Sequence, residues 1–496
     1  MGGAQGRPSK AEGDAGPSTT ANGLPIREIP GGYGIPVLGA VGDRLAYFWT
    51  EGIPNFYENR RKKFNSTVYR MNMIPGPPGF PKNPVVMLLD QKSHKVLLDN
   101  DKVEKRDCIT GTFVPDLQYF GGYRPTVYLD TSEEKHTLLK GFLFEVLKAS
   151  RPRIFPEFRK SVSEVFDSWE AGLKKEGKIK FKDELAIATL RFNIKAVLNV
   201  DPADPTVEAN LGKGVKSTVM TWLAPMFMPI APAPIPRLLK PVLAPVAELV
   251  MHTFPVPFIL VKPKYEQVVK FFRANSKEQL DLAETQFGLN RDEALQNLMF
   301  ATCFNSWGGI QILFPNIIKR LASTSPDFQR ELSEEVRKAA GESGGSITPA
   351  SLSSMPLLQS AVYEVLRMDP PVPSQFGRAR EDLIVESHDA AFQVKKGEML
   401  ACYLPVIGRD PKVFTSDPQD YNPKRFVGEE GQKLVQYVLW SNGPQTGSPT
   451  TTNKQCAGKD FLTTVAQLLV AEVYSRYERV QVNGDNLVAL SPPSNA

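Results

Sequence analysis

Residues 405–460 restrict the fold of this 496-residue chain more than any other region, because the sequence predicts them to be mostly loop. A loop of that length inside a compact domain is uncommon and is usually functional. It contains Cys456, just before a helix that the sequence predicts over 458–477. The fold must therefore fix a long irregular segment and present one cysteine near the N-terminus of a helix.

A glutamate and two arginines offer a way to fix this loop. Glu364 and Arg367 lie three positions apart on a predicted helix over 350–368, and therefore share one face. Arg425 lies in the loop itself, in the run YNPKRF. A Glu–Arg–Arg network would join the loop to the helix through charge-assisted hydrogen bonds. Taken alone, Glu364 and Arg367 have an alternative interpretation as an ordinary exposed ion pair.

Cys456 has the sequence surroundings of a metal-binding thiolate. Lys454 and Lys459 flank it, and the N–H groups of the following helix add positive potential, so both features favour the thiolate form. Gly458 allows the backbone to approach a flat group. A sulfur ligand for iron, with a cation for a propionate two positions earlier, suits haem. The alternative for a lone cysteine is a small buried hydrophobic residue.

Composition excludes several other functions. The chain has 59 lysines and arginines against 54 acidic residues, a net charge of +5 that is too balanced to indicate a nucleic-acid partner. Its four cysteines and four histidines are widely spaced, and they form neither a CxxC pair nor a histidine cluster for a metal. So few cysteines also argue against a disulfide scaffold and suit a reducing compartment.

An uncharged apolar run, Trp222–Pro236, is the strongest candidate for a membrane span, but it contains five prolines. A segment with so many missing N–H donors cannot cross a bilayer as a helix. We predict that the surrounding stretch, 222–263, is irregular. It has two interpretations: a buried connector, or a channel lid that makes peripheral contact with a membrane.

The remaining pattern predicts a mainly α protein with a few strands gathered at both ends. Residues 1–23, rich in Gly, Ser, Ala and Thr, are predicted to be a disordered tail. Strands are predicted over 68–73, over 85–89 and around 383–403, and helices over 133–149, 156–176 and 291–323, the last interrupted by Gly308-Gly309 and Pro315.

With these motifs in this order, the chain resembles the cytochrome P450 superfamily over nearly its whole length. Glu364 and Arg367 match the ExxR helix of that superfamily, Arg425 matches the third member of its structural triad, and Cys456 matches its axial ligand. The resemblance implies one haem-thiolate domain over 24–496, mainly α with a small β subdomain. It also implies haem b, iron protoporphyrin IX, as the cofactor, held by the cysteine thiolate.

The cysteine loop indicates one branch of that superfamily. Gly443 to Cys456 is thirteen positions, which is an insertion of nine residues relative to the usual haem loop. With the runs SNGPQT and NKQCAGKDF, the loop resembles that of the plant branch that metabolises fatty-acid hydroperoxides. This branch comprises allene oxide synthases, hydroperoxide lyases and divinyl ether synthases.

The central helix favours the same branch. No carboxylate occurs between Glu293 and Asp327, so the acid–alcohol pair with which a monooxygenase protonates bound dioxygen is missing. A substrate that already contains an O–O bond removes the need for that pair and for a reductase. Asn305 matches the asparagine that this branch places above the iron, and a helix amide bonded to the backbone is the alternative. Cys303 is predicted to be a packing residue.

Two further groups of residues follow from the resemblance. Ile109 and Val127 fall at substrate contacts where the synthases usually carry Phe and Ser, and an aliphatic residue such as Ile109 is usual in the lyases. A solvated basic face is the alternative for the second group, the candidates for the haem propionates. These candidates are Lys105, His136, Lys140 and Lys454.

The resemblance implies dehydration of a polyunsaturated fatty-acid hydroperoxide to an allene oxide, without reductase, NADPH or dioxygen. Hydroperoxide lyase, which Ile109 and Val127 favour, and divinyl ether synthase are alternatives, and a reductase-dependent monooxygenase is a third. A downstream allene oxide cyclase is the protein partner that such an activity would have. Because residues 1–23 make a poor transit peptide, we expect the cytoplasm in preference to the plastid.

Overall fold

The computed structural model describes residues 19–35, 38–72, 84–109, 114–227 and 256–493, together with Leu243 and Val246. Helices dominate these residues, which confirms the predicted mainly α fold with a minor β part. The α-helices span Leu38–Leu45, Ile53–Phe64, Glu134–Glu176, Phe181–Leu198, Val215–Phe227, Lys262–Asn275, Lys277–Phe287, Arg291–Phe300, Trp307–Ala322, Pro326–Glu342, Pro349–Ser353, Pro356–Met368, Leu404–Ile407, Gly428–Leu434 and Lys459–Arg476. Two π-helical turns span Ala46–Thr50 and Ala301–Ser306.

The strands form three small sheets within the described residues. They are β1 (Ile26–Arg27), β2 (Val68–Asn72), β3 (Pro84–Leu88), β4 (Val103–Glu104), β5 (Ile179–Lys180), β6 (Ser374–Ala379), β7 (Leu383–Glu386), β8 (Ala391–Val394), β9 (Met399–Tyr403), β10 (Arg479–Asn483) and β11 (Asn486–Ser491). The sheets have the orders β2-β3-β9-β6-β4, β1-β8-β7 and β10-β11-β5. β3 and β9 pair in parallel, with Val85 opposite Met399, so the first sheet joins the N-terminal part of the chain to its last third. The strands predicted over 68–73 and 85–89 are confirmed to within one residue at each end.

The two helices predicted over 133–149 and 156–176 are one helix, Glu134–Glu176, with Pro152 and Pro156 inside it. A break was predicted because proline removes an N–H donor and crowds the preceding turn. That prediction was wrong, because packing outweighs the cost here. Phe158 and Trp169, which follow the prolines, are both almost completely buried in the core. Their burial stabilises the helix across the interruption.

The central helical pattern is also more continuous than predicted. Arg291–Phe300 leads through the π-helical turn Ala301–Ser306 into Trp307–Ala322, so Gly308-Gly309 and Pro315 do not interrupt it. Pro315 is buried inside the last helix, where apolar packing again holds the backbone together. This helix lies between the two largest apolar clusters of the protein.

The proline-rich stretch is only partly described. Residues 222–227 belong to the helix Val215–Phe227, with Pro225 inside it, so the prediction of irregular structure was wrong for them. Trp222 is buried there, and its indole N–H donates to the Tyr119 carbonyl at 3.0 Å. Residues 228–242, 244–245 and 247–255 lie outside the described residues. Among the described helices, none has the length and the apolar character that crossing a membrane requires.

The predicted tail, 1–23, lies largely outside the described residues, which begin at Thr19. Thr19 pairs with Pro25 in an isolated β-bridge, and the Asn22 amide donates to the Glu386 carboxylate at 3.0 Å. The first described residues are therefore attached to the sheet that contains β7.

Candidate active site

Glu364, Arg367 and Arg425 form one buried ionic network. Arg367 donates from Nε and Nη2 to the two carboxylate oxygens of Glu364, at 2.6 and 2.7 Å. Arg425 donates from Nε to Glu364 Oε1 at 3.0 Å. Bidentate contact between a guanidinium and a carboxylate is among the strongest charge-assisted arrangements. An exposed surface pair, the alternative interpretation of Glu364 and Arg367, does not describe these side chains, since none is more than 8% exposed.

This network fixes the long loop to the helix Pro356–Met368. Arg367 Nη1 donates to the carbonyls of Gly408 and Pro418, at 2.6 and 2.9 Å. Arg425 Nη2 donates to the Asp417 carbonyl at 2.9 Å. These charged donors satisfy backbone carbonyls of the loop, while several apolar residues of the loop pack into the core.

Cys456 differs from the other three cysteines of the chain because its surface is exposed while theirs is buried. Its backbone N–H donates to the Ser441 carbonyl at 2.8 Å, which fixes it at the entrance of the helix Lys459–Arg476. Burial nevertheless raises the pKa of the thiol, opposed by the Gly458 N–H and by Lys140. The side chain of Cys456 thus has accessible surface and is also densely surrounded by protein. Both hold together when a side chain faces a space inside the protein.

The sequence predicted that Lys454 and Lys459 favour the thiolate. Lys459 does lower the pKa of Cys456, although less than Gly458 and Lys140 do, and its Nζ also contacts Asp460 at 2.7 Å and donates to the Gln445 carbonyl at 2.9 Å. Burial therefore dominates the pKa of Cys456 in the protein alone. A coordinated metal ion deprotonates a thiol directly, so an iron held by Cys456 would supply the missing stabilisation.

The nine-residue insertion between Gly443 and Cys456 folds around one glutamine. Gln455 Nε2 donates to Ser441 Oγ at 3.1 Å and to the Pro444 carbonyl at 2.8 Å. A Cβ on Gly443 would lie 2.7 Å from the Gln455 side chain, so a larger residue there would displace that side chain. Gln455 was not among the predicted site residues, although its position directly before the cysteine was a signal.

Four basic side chains lie on the internal side of this loop, as the propionate hypothesis requires. Lys140 Nζ donates to Asn453 Oδ1 at 3.2 Å, and Lys454 Nζ donates to the Leu129 carbonyl at 2.7 Å. The Lys105 ammonium is buried without a hydrogen-bond partner among the described residues, and the same holds for Nδ1 of His136. These four groups are not a solvated basic face, because three of them are at least 95% buried and Lys454 is half-buried.

The charges of this cluster are only partly compensated, because the one carboxylate that acts on three of its groups, Asp130, also forms an ion pair with Arg380. Burial lowers the pKa of Lys454 to about 7, helped by repulsion from Lys140 and Lys105. It lowers the pKa of Lys105 and of Lys140 to about 8, and that of His136 to about 4. Buried basic groups that outnumber the carboxylates beside them fit a ligand that brings carboxylates. Haem, with two propionates and an iron for Cys456, meets both requirements.

Asn305 lies in the π-helical turn Ala301–Ser306, half-buried, and its amide forms no hydrogen bond to any described residue. The alternative for Asn305, an amide bonded to its own helix, is therefore not what the structure shows. π-helical turns inside α-helices are frequent at functional sites, because they change the direction in which side chains project. Cys303 in the same turn is completely buried in apolar surroundings, which raise the pKa of its thiol, as expected of a packing residue.

Ile109 and Val127 pack against the apolar cluster that contains Phe300 and Cys303 of the central helix. Both residues therefore belong to the same apolar cluster as the helix segment that leads into the turn with Asn305. It also shows a contact that the sequence analysis missed: Asn297 on the same helix binds the residue before Val127. An asparagine inside an apolar helical run was a signal that it had a buried polar partner.

A second polar cluster, Asp90, His388 and Asp410, has the composition of a cation site, with its ligand atoms within 4.8 Å of one another. Its groups are already engaged, however. His388 Nε2 lies 2.7 Å from Asp410 Oδ2, and the Ser93 N–H donates to Asp90 Oδ1 at 2.8 Å. We therefore assign this cluster a structural role.

Comparisons with known proteins agree with this geometry. The family profile for cytochrome P450 matches residues 312–481. The chloroplastic allene oxide synthase of Arabidopsis thaliana is 45% identical over 96% of this chain and 90% of that protein. The chloroplastic allene oxide synthase 2 of Solanum lycopersicum is 44% identical over 93% of this chain and 88% of its own length. A divinyl ether synthase of Selaginella moellendorffii is 41% identical over 93% of each chain.

Proposed function

The chain belongs to the cytochrome P450 family, in the branch that holds allene oxide synthases and divinyl ether synthases, and on that premise we propose that it dehydrates a polyunsaturated fatty-acid hydroperoxide to an allene oxide. The observation that carries this proposal is the pairing of an available cysteine, Cys456, with a central helix that offers an amide, Asn305, and has no acidic residue after Glu293. Several relatives at 43–45% identity are named allene oxide synthases.

The cofactor of this family is haem with a thiolate ligand, and when bound it supplies the iron that breaks the O–O bond of the hydroperoxide. Cys456 would hold the iron. The propionates would lie among the basic residues already described, whose charges they would balance. These residues are Lys105, His136, Lys140 and Lys454.

Asn305 would orient the hydroperoxide, because its free amide can donate to one oxygen and accept from the other. The apolar residues Ile109 and Val127 would hold the carbon chain and keep water away from it. In the overall reaction the substrate loses one hydrogen and the distal OH group as water. Because this is not a net oxidation or reduction, no reductant or oxidant is consumed.

The central helix supports independence from NADPH and dioxygen. The nearest carboxylate before the π-helical turn, Glu293, forms an ion pair with Lys135 at 2.9 Å. It is therefore engaged on another side of the helix and is not available as a proton donor at Asn305. Members of this branch act without NADPH or dioxygen, in agreement with that arrangement.

Two alternatives within the branch are supported by specific observations. Divinyl ether synthesis is favoured by relatives of that name at 41% and 40% identity. Hydroperoxide lyase activity is favoured by the aliphatic residues at Ile109 and Val127. Both start from the same substrate class, so product analysis separates them.

The experiment that tests the proposal uses the purified haem protein with 9- and 13-hydroperoxides, in the absence of NADPH and under anaerobic conditions. We expect the hydroperoxide to be consumed and ketols, the hydrolysis products of an allene oxide, to appear by mass spectrometry. A strict requirement for NADPH or dioxygen would contradict the proposal. Aldehydes or divinyl ethers as the main products would assign the chain to one of the alternatives.

Location and partners extend this proposal. Relatives are named chloroplastic, which favours the plastid, and nothing in the comparisons favours the expected cytoplasmic location.

Ile259 and Leu260 are 69% and 68% exposed, and with Leu243 and Val246 they would supply peripheral contact with a membrane that delivers the lipid substrate. A downstream allene oxide cyclase would consume the unstable product. Co-sedimentation with lipid vesicles, compared with an Ile259→Ser/Leu260→Ser variant, tests the membrane contact.

A further inference from the structure

The short turn Thr126–Tyr128 is held firmly by the central helix. Asn297 Oδ1 accepts hydrogen bonds from the Thr126 N–H at 2.8 Å and from the Thr126 hydroxyl at 2.7 Å. Asn297 Nδ2 donates to the Glu293 carbonyl at 3.0 Å. Since Asn297 is only 2% exposed and both ends of its amide are engaged, the orientation of that amide is fixed.

The cysteine loop holds the same turn from the other side. Lys454 Nζ donates to the carbonyls of Thr126 and Val127 at 3.3 Å, in addition to Leu129. Lys454 precedes Cys456 by two residues, and Asn297 precedes Asn305 by eight residues on one continuous helix. The backbone of Val127 is therefore tied to both elements that form the site.

The turn also reaches Ile109. The Asp107 N–H donates to the Tyr128 carbonyl at 2.9 Å, and Arg124 forms an ion pair with Asp107 at 3.1 Å. Ile109 follows Asp107 by two residues. A displacement of Thr126 would consequently move both aliphatic residues, Val127 and Ile109, which pack against the apolar cluster to which the central helix contributes.

We propose that Asn297 is a positioning residue that governs the choice of product, acting through Thr126 on Val127 and Ile109. This inference rests on the proposed function. Dehydration releases the distal oxygen as water, together with a hydrogen from the substrate, whereas chain cleavage to aldehydes keeps both hydroperoxide oxygens in the products. The outcome depends on how closely the side chains hold the carbon chain after the O–O bond breaks, and Asn297 sets the position of two of them.

Paired substitutions in the haem-loaded protein test this role. Asn297→Leu removes the acceptor, and Asn297→Asp retains it. Thr126→Val removes the hydroxyl donor, and Thr126→Ser retains it. From one purified hydroperoxide, we expect Asn297→Leu and Thr126→Val to change the ratio of ketol to aldehyde by about two- to tenfold, the effect of one buried hydrogen bond. Thr126→Ser should restore the wild-type ratio.

The matched control is Asn275→Leu. Asn275 also donates to the carbonyl four residues earlier, that of Phe271, at 2.8 Å, but it lies outside the site. Its substitution should leave the product ratio unchanged. A second readout is the affinity for an unreactive hydroxy fatty acid, followed by the spectral shift of the ferric haem, which should weaken severalfold in Thr126→Val but not in Asn275→Leu.

The outcomes distinguish a failure of the proposed function from a failure of the positioning role of Asn297. If the wild type consumes no hydroperoxide without reductant, the proposed function fails. If the wild type is active and Asn297→Leu and Thr126→Val both give the wild-type ratio, the positioning role is overturned, even where their melting temperatures fall. Should Asn297→Leu not fold, the comparison of Thr126→Val with Thr126→Ser decides alone.

Discussion

Arg425 Nε lies 3.0 Å from Oε1 of Glu364, a residue 61 positions earlier in the chain. This contact links the middle of a long loop to a helix whose carboxylate is completely buried. A buried charge that loses its partner is strongly destabilising, because the partner left behind remains desolvated. The cysteine loop follows Arg425 and depends on this attachment for its position.

Arg425→Leu should therefore destabilise the protein by about 3–5 kcal/mol and reduce haem incorporation. Thermal unfolding and the ratio of haem to protein absorbance measure both effects. The control is Arg330→Leu, since Arg330 contacts Asp327 at 2.7 Å with both side chains more than half exposed. Equal stability of the two variants would show that the buried network contributes nothing specific.

Cys456→Ser should lose the thiolate-type spectrum of the ferrous–CO complex, because an alcohol does not replace a thiolate as the donor to iron. The reference variants are Cys108→Ser, Cys303→Ser and Cys402→Ser. They should keep the spectrum, since these three cysteines are buried and only Cys456 is exposed. Retention of the spectrum in Cys456→Ser would assign the ligand to another residue.

Asn305→Leu should keep haem but turn over hydroperoxide about 100- to 1000-fold more slowly, which corresponds to ~2.7–4 kcal/mol for one preorganised hydrogen bond at an active site. The amide has no described partner in the protein, so its loss should hardly change the melting temperature. Near-normal turnover by the haem-loaded variant would remove Asn305 from the reaction.

Ile109→Phe should raise the share of ketols among the products. An aromatic face stabilises a nearby cation by ~0.5–2 kcal/mol, enough to shift a product ratio severalfold. Ile109 is half-buried beside the apolar cluster that contains Phe300, so the larger phenylalanine side chain could disturb the packing there. The haem content of the variant shows whether the packing is intact. If the wild type yields chiefly aldehydes and Ile109→Phe yields ketols, the chain is a lyase.

His94 should make the protein sensitive to acid. Burial lowers its pKa to about 4, and among the described residues only Nε2 has a partner, Gln375, at 3.1 Å. The unfolded chain takes up this proton near pH 6.5, so stability is full above that pH and falls as the pH drops from 6.5 through 4. The loss from this group is about 3 kcal/mol. In urea unfolding at pH 7 and pH 4.5, His94→Gln should show a smaller difference than the wild type, and an equal difference would exclude His94 as the source.

Local patterns predicted the parts of the site that short stretches of sequence determine. The spacing of Glu364 and Arg367 and the position of Cys456 before a helix could be read directly, because helix geometry relates neighbours three or four residues apart. The central helix was predicted in outline, but the π-helical turn at Asn305 was not, since a change of hydrogen-bond register has no simple sequence pattern.

Features that depend on distant packing could not be predicted. Pro152 and Pro156 signalled a break that burial of Phe158 and Trp169 overrides. The contact of Asn297 with Thr126 joins residues 171 positions apart, and neither residue stands out alone. The arrangement of side chains around the candidate site was in this sense a property of the tertiary structure.

The hydrogen bond between Lys140 and Asn453 joins residues 313 positions apart in the chain. This separation determines how long after Lys140 the ribosome adds Asn453. At ~5–20 residues per second, a ribosome needs roughly 15 to 60 s to proceed from one to the other. For that interval the emerging chain carries its basic residues without the loop that completes their enclosure. Cofactor capture must therefore be one of the last events in the biogenesis of this protein, and it depends on a nascent chain that stays soluble while it waits.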